Sequence, residues 1–387
     1  MRNTLRWSAR ILLVLVLAAA IVGFWQREQI TRLLAVNSLF AEDRIVHNFS
    51  HMDEAFLTVP VPRGNGATTE LGYGAQATLP AQVDQWIVER SVTSLVILKD
   101  GNIAHESYHL GTGQDDRRIS WSVAKSYLSA LMGVLIDEGV IPSLDAPVTQ
   151  YVPELADGAY DGASIRNVLN MASGVVFDED YLDPQSDINK MGRVLALGGS
   201  MDGFAAARSG TFAAPGTVWQ YTSIDTHVLS MVIRAATGEP LAKLLSEKII
   251  TPMGLEYAPY YLTDGFGVAF ALGGLNLTTR DYARMGQMYL QNGYYNGQQI
   301  VPANWVAAST VSSAPTAHDA IGYGYQWWVP QGAPEGEFMA RGIYGQYIYI
   351  NRARGVVIAT NAADRKFREA GVSDQNIAMF RSIANSI

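Results

Sequence analysis

The chain has 387 residues, no cysteine and a formal net charge of −8 at pH 7, and this length can bury the cores of two or three structural units. The absence of cysteine excludes a disulfide scaffold, a thiolate zinc site, an iron–sulfur cluster and a cysteine nucleophile. An acidic chain without a long Lys/Arg run argues against nucleic-acid binding.

A basic flank followed by an apolar run opens the chain, which is typical of a secretory or inner-membrane signal. Arg2, Arg6 and Arg10 precede the uncharged residues 11–25. We expect residues 1–30 to be an uncleaved signal anchor that holds the body of the protein on the periplasmic side of the inner membrane. Two alternatives stay open: a cleaved signal peptide, which would leave the protein secreted, and a buried N-terminal helix.

The body that follows changes from strand to helix periodicity and back. Residues 31–85 are weakly periodic and are interpreted as a loop-rich lead-in that begins with a juxtamembrane helix. An Asp-Gly turn at residues 100–101, between two β-branched runs, predicts a hairpin. Apolar spacing further along the chain predicts helices at 123–138, 164–171, 224–237, 241–250 and 277–292, then strands at 325–329, 346–350 and 356–360.

Strand patterns at both ends of the body, with helices between them, predict an α/β (α+β) fold. We expect residues 86–118 and 265–387 to form one sheet domain flanked by helices. Residues 119–264 would then form a mainly helical insertion domain. The hairpin and the C-terminal strands would share one sheet, although they are far apart in the sequence.

The segment His105-Glu106-Ser107-Tyr108-His109 matches the H-E-x-x-H zinc signature in its letters. That signature binds zinc on a helix, where positions i and i+4 lie on one face. Here it follows the hairpin turn and has strand-like spacing, and residues four apart in a strand are separated by ~13 Å. We therefore interpret it as an edge strand, and we expect neither a metal site nor a cofactor.

Ser122 and Lys125 form an S-x-x-K pair at the start of a predicted amphipathic helix. Residues i and i+3 lie on one helix face, so Lys125 can place its amino group beside the Ser122 hydroxyl. The helix N-terminus favours a developing alkoxide and lowers the lysine pKa. A free serine needs such activation to become a nucleophile. Because S-x-x-K occurs by chance in most long chains, the pair alone is weak evidence.

Two further segments strengthen the evidence for a serine nucleophile at Ser122. Tyr221 and Ser223 form a Tyr-x-Ser motif just before a predicted helix, and a tyrosine beside an ammonium group has a stabilised phenolate that can act as a base. The glycine-rich segment 341–346 leads into a predicted strand. An exposed backbone N–H at such a strand edge can serve as an oxyanion donor. Alone, each is equally compatible with a buried loop tyrosine or a hairpin turn.

In this order the three segments resemble those of the serine β-lactamase and penicillin-binding-protein superfamily. The Tyr-x-Ser variant is similar to the class C β-lactamase and esterase branch, and in particular to the 6-aminohexanoate-dimer (nylon-oligomer) hydrolases. The resemblance extends over roughly residues 90–365, with support from segments 120–126, 168–174, 179–184, 221–229, 273–286, 326–328 and 342–346. It implies a β-lactamase/transpeptidase-like fold with an antiparallel sheet.

The resemblance also implies roles for individual residues. Ser122 is similar to the acylated nucleophile, and Lys125 and Tyr221 to the pair that takes and returns its proton. The backbone N–H groups of Ser122 and Ile343 would form the oxyanion hole. Tyr181 matches a loop tyrosine that contacts the scissile amide in the nylon-oligomer enzymes. Two further positions are expected at the substrate site, namely Ser223, where class C β-lactamases have Asn, and Trp327, as part of the pocket lining.

The resemblance favours a serine hydrolase that cleaves a small-molecule amide or ester through an acyl-enzyme. The Lys-Thr-Gly of β-lactamases is replaced by Ala340-Arg341-Gly342, which puts antibiotic hydrolysis in doubt unless Arg341 compensates. A β-lactamase or D,D-peptidase-like cell-wall enzyme stays an alternative, as does an inactive penicillin-sensor protein. The absence of a G-x-S-x-G motif disfavours a Ser-His-Asp hydrolase. The pattern indicates neither the physiological substrate nor the oligomeric state.

Overall fold

The helical and extended segments follow the order that the periodicity predicts. The computed structural model describes the backbone of residues 2–387 and the side chains from residue 6 onward. The α-helices in this part of the chain are Arg2–Trp25 (α1), Arg27–Ser38 (α2), Ile45–Ser50 (α3), Met52–Ala55 (α4), Val83–Glu89 (α5), Ala124–Asp137 (α6), Ile165–Leu169 (α7), Asp187–Leu197 (α8), Met201–Ala206 (α9), Ser223–Thr237 (α10), Leu241–Leu245 (α11), Thr251–Met253 (α12), Thr279–Leu290 (α13), Ala303–Ser309 (α14) and Val372–Ser386 (α15).

The strands are distributed over one large and two small sheets. They are Thr58–Pro60 (β1), Val92–Lys99 (β2), Asn102–Tyr108 (β3), Arg118–Ile119 (β4), Tyr260–Leu262 (β5), Leu275–Leu277 (β6), Tyr294–Tyr295 (β7), Gln298–Gln299 (β8), Gly322–Tyr323 (β9), Trp328–Val329 (β10), Glu337–Gly342 (β11), Gln346–Asn351 (β12) and Val356–Ala362 (β13). The large sheet has the order β3-β2-β13-β12-β11-β10-β9, and a smaller one has the order β1-β5-β6-β4. Strands β7 and β8 pair with each other.

Every neighbouring pair in the large sheet is antiparallel. The sheet joins the two ends of the body, because β2 pairs with β13 in a register that places Ile97 opposite Ile358. The predicted antiparallel sheet from both chain ends is therefore confirmed. The predicted hairpin is also present, and its turn residues Asp100 and Gly101 both have positive φ angles of 48° and 84°, as a type I′ turn requires.

Both faces of the large sheet are buried, so its central strands are apolar at consecutive positions. Leu95 and Ile97 face a core that includes α5 and α15, whereas Val96 and Leu98 face the main core, which includes α6, α10 and α13. On this second side, α13 lies so close to the sheet that a Cβ atom at Gly286 would be 2.4 Å from the Val357 side chain. Helices therefore flank the sheet as predicted.

Several predicted elements differ from the observed ones at their ends. The helix predicted from residue 123 begins as a 3₁₀ turn over Trp121–Val123 and continues as α6. The helix predicted at 241–250 changes after Leu245 into a π-helical turn, Ser246–Ile250. The strand predicted at 325–329 is confined to β10, because Gln326 has a left-handed φ of 66° and its carbonyl accepts a hydrogen bond from Ser126 Oγ.

The lead-in is more ordered than its composition predicts. It contains the expected helix, α2, but also α3, α4 and the strand β1, which pairs with β5 in the smaller sheet. Phe49, Met52 and Val61 of the lead-in are fully buried. The lead-in therefore contributes side chains to the main core, and the boundaries of the helical insertion domain over 119–264 stay a prediction.

Helix α1 is the one helix in the described residues that is long and apolar enough to cross a membrane. The qualifying stretch is Arg6–Trp25, and none of it is buried. A signal anchor and a signal peptide both have this character. The alternative of a buried N-terminal helix is wrong, because side chains such as Leu12 and Phe24 are more than half exposed.

Candidate active site

Ser122 lies on a strained turn at the N-terminus of α6. The preceding residue, Trp121, has a φ of 44°, a left-handed conformation that is unfavourable for a bulky residue and is typical of functional turns. Ser122 belongs to the 3₁₀ turn and is 9% exposed. Both cavities described below open onto it.

Lys125 is one turn further along the same helix and is almost completely buried. Its Nζ atom donates a hydrogen bond to the carbonyl oxygen of Leu272 at 2.7 Å and lies 5.6 Å from the centre of the Tyr221 ring. Burial lowers the pKa of Lys125 to about 7, although the negative charges of Glu179 and Asp225 act in the opposite direction. A lysine in this environment exchanges its proton near neutral pH.

Tyr221 lies just before α10, close to Lys125 and to the side chains of Ser122 and Ser223. Burial and the charge of Glu179 raise its pKa above the ordinary value, whereas the two serine side chains act in the opposite direction. Burial first, and then the charge of Glu179, therefore act against the stabilised phenolate that the sequence predicts. The raised pKa favours the neutral phenol, a form that is able to donate a proton.

Glu179 is a buried carboxyl group that the sequence analysis did not single out as a site residue. It accepts hydrogen bonds from the Tyr181 phenol at 2.7 Å and from the Ser223 hydroxyl at 3.2 Å, as well as from the Ser223 backbone N–H. Burial raises its pKa, and Lys125 opposes this shift. Glu179 thus connects two predicted residues, Tyr181 and Ser223, and its negative charge acts to raise the pKa of Lys125.

Asp225 is a second buried carboxyl group near Lys125. One of its oxygens accepts hydrogen bonds from the hydroxyls of Tyr160 at 2.7 Å and Ser173 at 2.9 Å. Burial raises the pKa of Asp225 to about 7. The site therefore holds one buried amine between two buried carboxyl groups, all three shifted toward their uncharged forms.

The predicted oxyanion donors belong to two chain segments that meet at Gly342. A Cβ atom there would lie 3.2 Å from the backbone nitrogen of Ser122 and 2.6 Å from the Ser120 carbonyl oxygen. Glycine is thus required for the end of β11 to approach the Ser122 turn. Ile343 follows directly, and its carbonyl accepts a hydrogen bond from the Gln346 side chain at 3.2 Å, which fixes this peptide next to Ser122.

An aromatic cluster holds both donor segments in place. Trp121 packs 5.8 Å from Phe40 and 5.5 Å from Phe49. Tyr344, which follows Ile343 and also has a positive φ of 60°, stacks on Phe40 at 4.8 Å and meets Phe49 at 5.5 Å. The lead-in therefore supplies the two rings that buttress the strained residues beside Ser122 and Ile343.

Trp327 does not line the pocket as expected. It is fully buried and packs in the core against Tyr289 at 4.4 Å and Phe338 at 5.4 Å. Its neighbour Trp328 occupies the site instead and stacks on the Tyr221 ring at 5.2 Å. The expectation for Trp327, which the resemblance implied, is therefore wrong, because the left-handed φ of Gln326 turns the chain directly before the two tryptophans.

Two cavities meet at Ser122. The first, which we name the lead-in cavity, is lined by apolar side chains that include Val36, Leu39, Phe40, Met52, Phe56 and Leu272. The second, the polar cavity, is lined by Glu179, Tyr221, Trp328, Arg341, Arg368 and Glu369. Tyr181, Ser122 and Ile343 line both, so these three predicted site residues lie at their junction.

The H-E-x-x-H segment lies on β3, as predicted, and not on a helix. Glu106 forms a bidentate ion pair with Arg280, with both contacts at 2.7 Å. The rings of His105 and His109 lean toward each other more than the backbone spacing implies, because both reach Ser107 Oγ at 3.1 and 3.0 Å. Within residues 6–387, no group of three or more His, Cys, Asp or Glu side chains could hold a metal ion.

Comparison with known proteins agrees with this geometry. The model of the Beta-lactamase family matches residues 83–378. The chain is 31% identical over 327 residues to the 6-aminohexanoate-dimer hydrolase of Paenarthrobacter ureafaciens, covering 80% of this chain and 83% of that protein. It is 29% identical over 206 residues to esterase EstB of Burkholderia gladioli, covering 46% and 50% of the two chains.

Solved structures show the same relationship. A candidate 6-aminohexanoate-dimer hydrolase of Bacillus anthracis superposes with a TM-score of 0.81 at 25% identity and covers 90% of this chain and 95% of its own. A family VIII carboxylesterase superposes with a TM-score of 0.59 at 16% identity, covering 81% of this chain and 99% of its own. With the family model matching most of the body, these findings identify the chain as a hydrolase of the Beta-lactamase family, similar to 6-aminohexanoate-dimer hydrolase.

Proposed function

We propose that the protein is a serine hydrolase that cleaves amide or ester bonds through an acyl-enzyme on Ser122. The observation that carries this proposal is the environment of Lys125, since burial lowers its pKa to about 7 one helical turn from the serine. A neutral amine that donates one hydrogen bond to Leu272 keeps a lone pair for the proton of Ser122. Such a base activates an otherwise weak nucleophile.

In the acylation step, Ser122 Oγ attacks the carbonyl carbon of the substrate and its proton passes to Lys125. The developing oxyanion would be held by the backbone N–H groups of Ser122 and Ile343, in the manner of an oxyanion hole. Tyr221 donates its phenolic proton to the leaving group as the C–N or C–O bond breaks, and regains a proton from Lys125. In deacylation, water takes the place of the leaving group and attacks the acyl carbon as it gives up a proton to the Tyr221–Lys125 pair. The bond to Ser122 Oγ then breaks, Ser122 regains its proton, and the acid is released.

The polar cavity bears on the alternative of a β-lactamase or D,D-peptidase. Arg341 is on β11, where the Lys-Thr-Gly of β-lactamases would lie, and its side chain donates to Ser373 at 2.9 Å and covers the Trp328 ring at 5.4 Å. A guanidinium at this position can bind a substrate carboxylate by donating hydrogen bonds to it. The match to the 6-aminohexanoate-dimer hydrolase extends over 80% of this chain, and this favours the general hydrolase over the cell-wall enzyme and over an inactive penicillin sensor.

We also propose that α1 anchors the enzyme in the inner membrane and leaves the site on the periplasmic side. The exposed apolar surface of α1 supports this proposal, as does the arginine-rich start of the chain. Beyond α1, Ile30 and Leu34 of α2 remain exposed at 44% and 62%. Cleavage of the signal would instead give a secreted enzyme with the same site.

Replacement of the nucleophile tests the proposed function. We expect Ser122→Ala to abolish hydrolysis of a chromogenic acetate ester and labelling by a fluorescent fluorophosphonate, because both reactions need the Ser122 oxygen. Ser129→Ala is the matched control, since Ser129 is buried on the same helix and should leave both signals intact. Activity of Ser122→Ala within tenfold of the parent, at an equal melting temperature, would sink the assignment.

The charge of Glu179 should affect the pH dependence of kcat/KM. A general base must be deprotonated, so kcat/KM is expected to fall below a midpoint near pH 7, where Lys125 takes up its proton. Glu179 raises the pKa of Lys125, and Glu179→Gln should therefore move this acid limb to lower pH. Glu247→Gln, which removes an exposed carboxylate, should leave the limb in place. An acid limb that stays in place or moves to higher pH in Glu179→Gln would contradict the proposed effect of the Glu179 charge on Lys125.

Tyr181 should distinguish amide from ester cleavage. Its phenol donates to Glu179 at 2.7 Å, which leaves an oxygen lone pair to accept the N–H of a scissile amide, a group that esters lack. One such hydrogen bond is worth about 1–3 kcal/mol, so Tyr181→Phe should lower amide turnover roughly ten- to a hundredfold and leave ester turnover nearly unchanged. Tyr294→Phe, at an exposed site, serves as control. Equal losses on a matched amide and ester would refute this role.

A further inference from the structure

The lead-in cavity differs in chemistry from the polar cavity on the other side of Ser122. No charged side chain is among the described residues that line it. Its polar side chains are few, and one of them, Asn189, already donates to the carbonyls of Asp180, Tyr181 and Asp183 at 3.2, 3.1 and 2.8 Å. Most of the wall is therefore aliphatic or aromatic.

The lead-in cavity is narrow. It has a volume of about 100 Å³, smaller than the roughly 300–1,000 Å³ of sites that enclose a drug-sized ligand, so it suits a slender alkyl group rather than a bulky one. Its walls are well supported, since Leu39, Met52 and Phe56 are buried. An apolar cavity of this kind gains binding free energy from burying methylene groups.

The position of Tyr221 decides which part of the substrate enters each cavity. Tyr221 and Glu179 line the polar cavity but not the lead-in cavity. In the proposed mechanism Tyr221 gives its proton to the leaving group, so the leaving group must lie on the side of the polar cavity. The acyl part of the substrate then extends to the opposite side, between the lead-in and α8.

We infer that the lead-in cavity is an acyl-chain site, and that the substrates are esters or amides of an extended aliphatic acid with a polar leaving group. This inference rests on the proposed function, because it takes the acyl-enzyme on Ser122 and the role of Tyr221 from it. The lead-in then has a direct part in specificity. It lies before residue 83, where the match to the family model begins.

The first test is a chain-length series on the full chain in phospholipid nanodiscs, without detergent. The nitrophenyl esters of acetate, butyrate, hexanoate and octanoate would be compared. We expect kcat/KM to rise roughly two- to fourfold for each added methylene that the cavity buries. A flat or falling series, with acetate still hydrolysed and Ser122 still labelled by a fluorophosphonate, would overturn the acyl-chain site while leaving the proposed function intact.

The second test fills the cavity. Gly192 of α8 lines it, and a Cβ atom there would meet no other atom within 4 Å. Gly192→Leu should therefore lower kcat/KM for the octanoate ester at least tenfold relative to that for acetate, and Gly192→Ala should have a smaller effect in the same direction. Gly66→Leu, at an exposed glycine with equally open surroundings, is the matched control.

The two variants also separate blocking from misfolding. Equal melting temperatures for the parent and Gly192→Leu would show that the change in selectivity does not arise from unfolding. If Gly192→Leu fails to fold, the comparison is made with Gly192→Ala, which adds one methyl group. An unchanged octanoate-to-acetate ratio in the folded variant would overturn the inference. Loss of labelling and of all ester hydrolysis in the parent would instead refute the proposed function itself.

Discussion

The burial of one lysine is the constraint on which the candidate site depends. Lys125 gives up almost all of its contact with water, and this desolvation lowers its pKa to about 7. Desolvation of an ammonium group is costly, and here it is offset by the carbonyl of Leu272 and by the charges of Glu179 and Asp225. If these groups stabilised the ammonium form more strongly, Lys125 would stay charged and could not accept the proton of Ser122.

A second constraint is geometric and involves the lead-in. Two residues with left-handed backbone conformations, Trp121 and Tyr344, flank the predicted oxyanion donors. Such conformations persist only when the surroundings hold them, and the rings of Phe40 and Phe49 pack against both. The lead-in therefore supports the turn that carries Ser122, and several of its apolar residues line one wall of the lead-in cavity.

The sequence predicted the elements whose signals are local. The Asp100-Gly101 turn specified a hairpin, and the S-x-x-K spacing placed Ser122 and Lys125 on one helix. The burial of Lys125 and its contact with the charge of Glu179 could not be predicted in this way, because Glu179 is far from Lys125 in the sequence and acts through space. The same limit applies to Trp327 and Trp328, whose positions depend on the left-handed Gln326 before β10, and to the lead-in, whose weak periodicity concealed its contacts with the core.

The protonation state of Lys125 is the most direct measure of this account. The full chain would be labelled with ¹³C at the lysine Cε atoms, and the resonance of Lys125, assigned with Lys125→Arg, would be followed by NMR as the pH is raised. The account predicts a titration midpoint near 7, separate from the surface lysines, whose ordinary value is about 10.4. A Lys125 that stays protonated above pH 9 would contradict the account, because Ser122 would then have no neutral amine beside it.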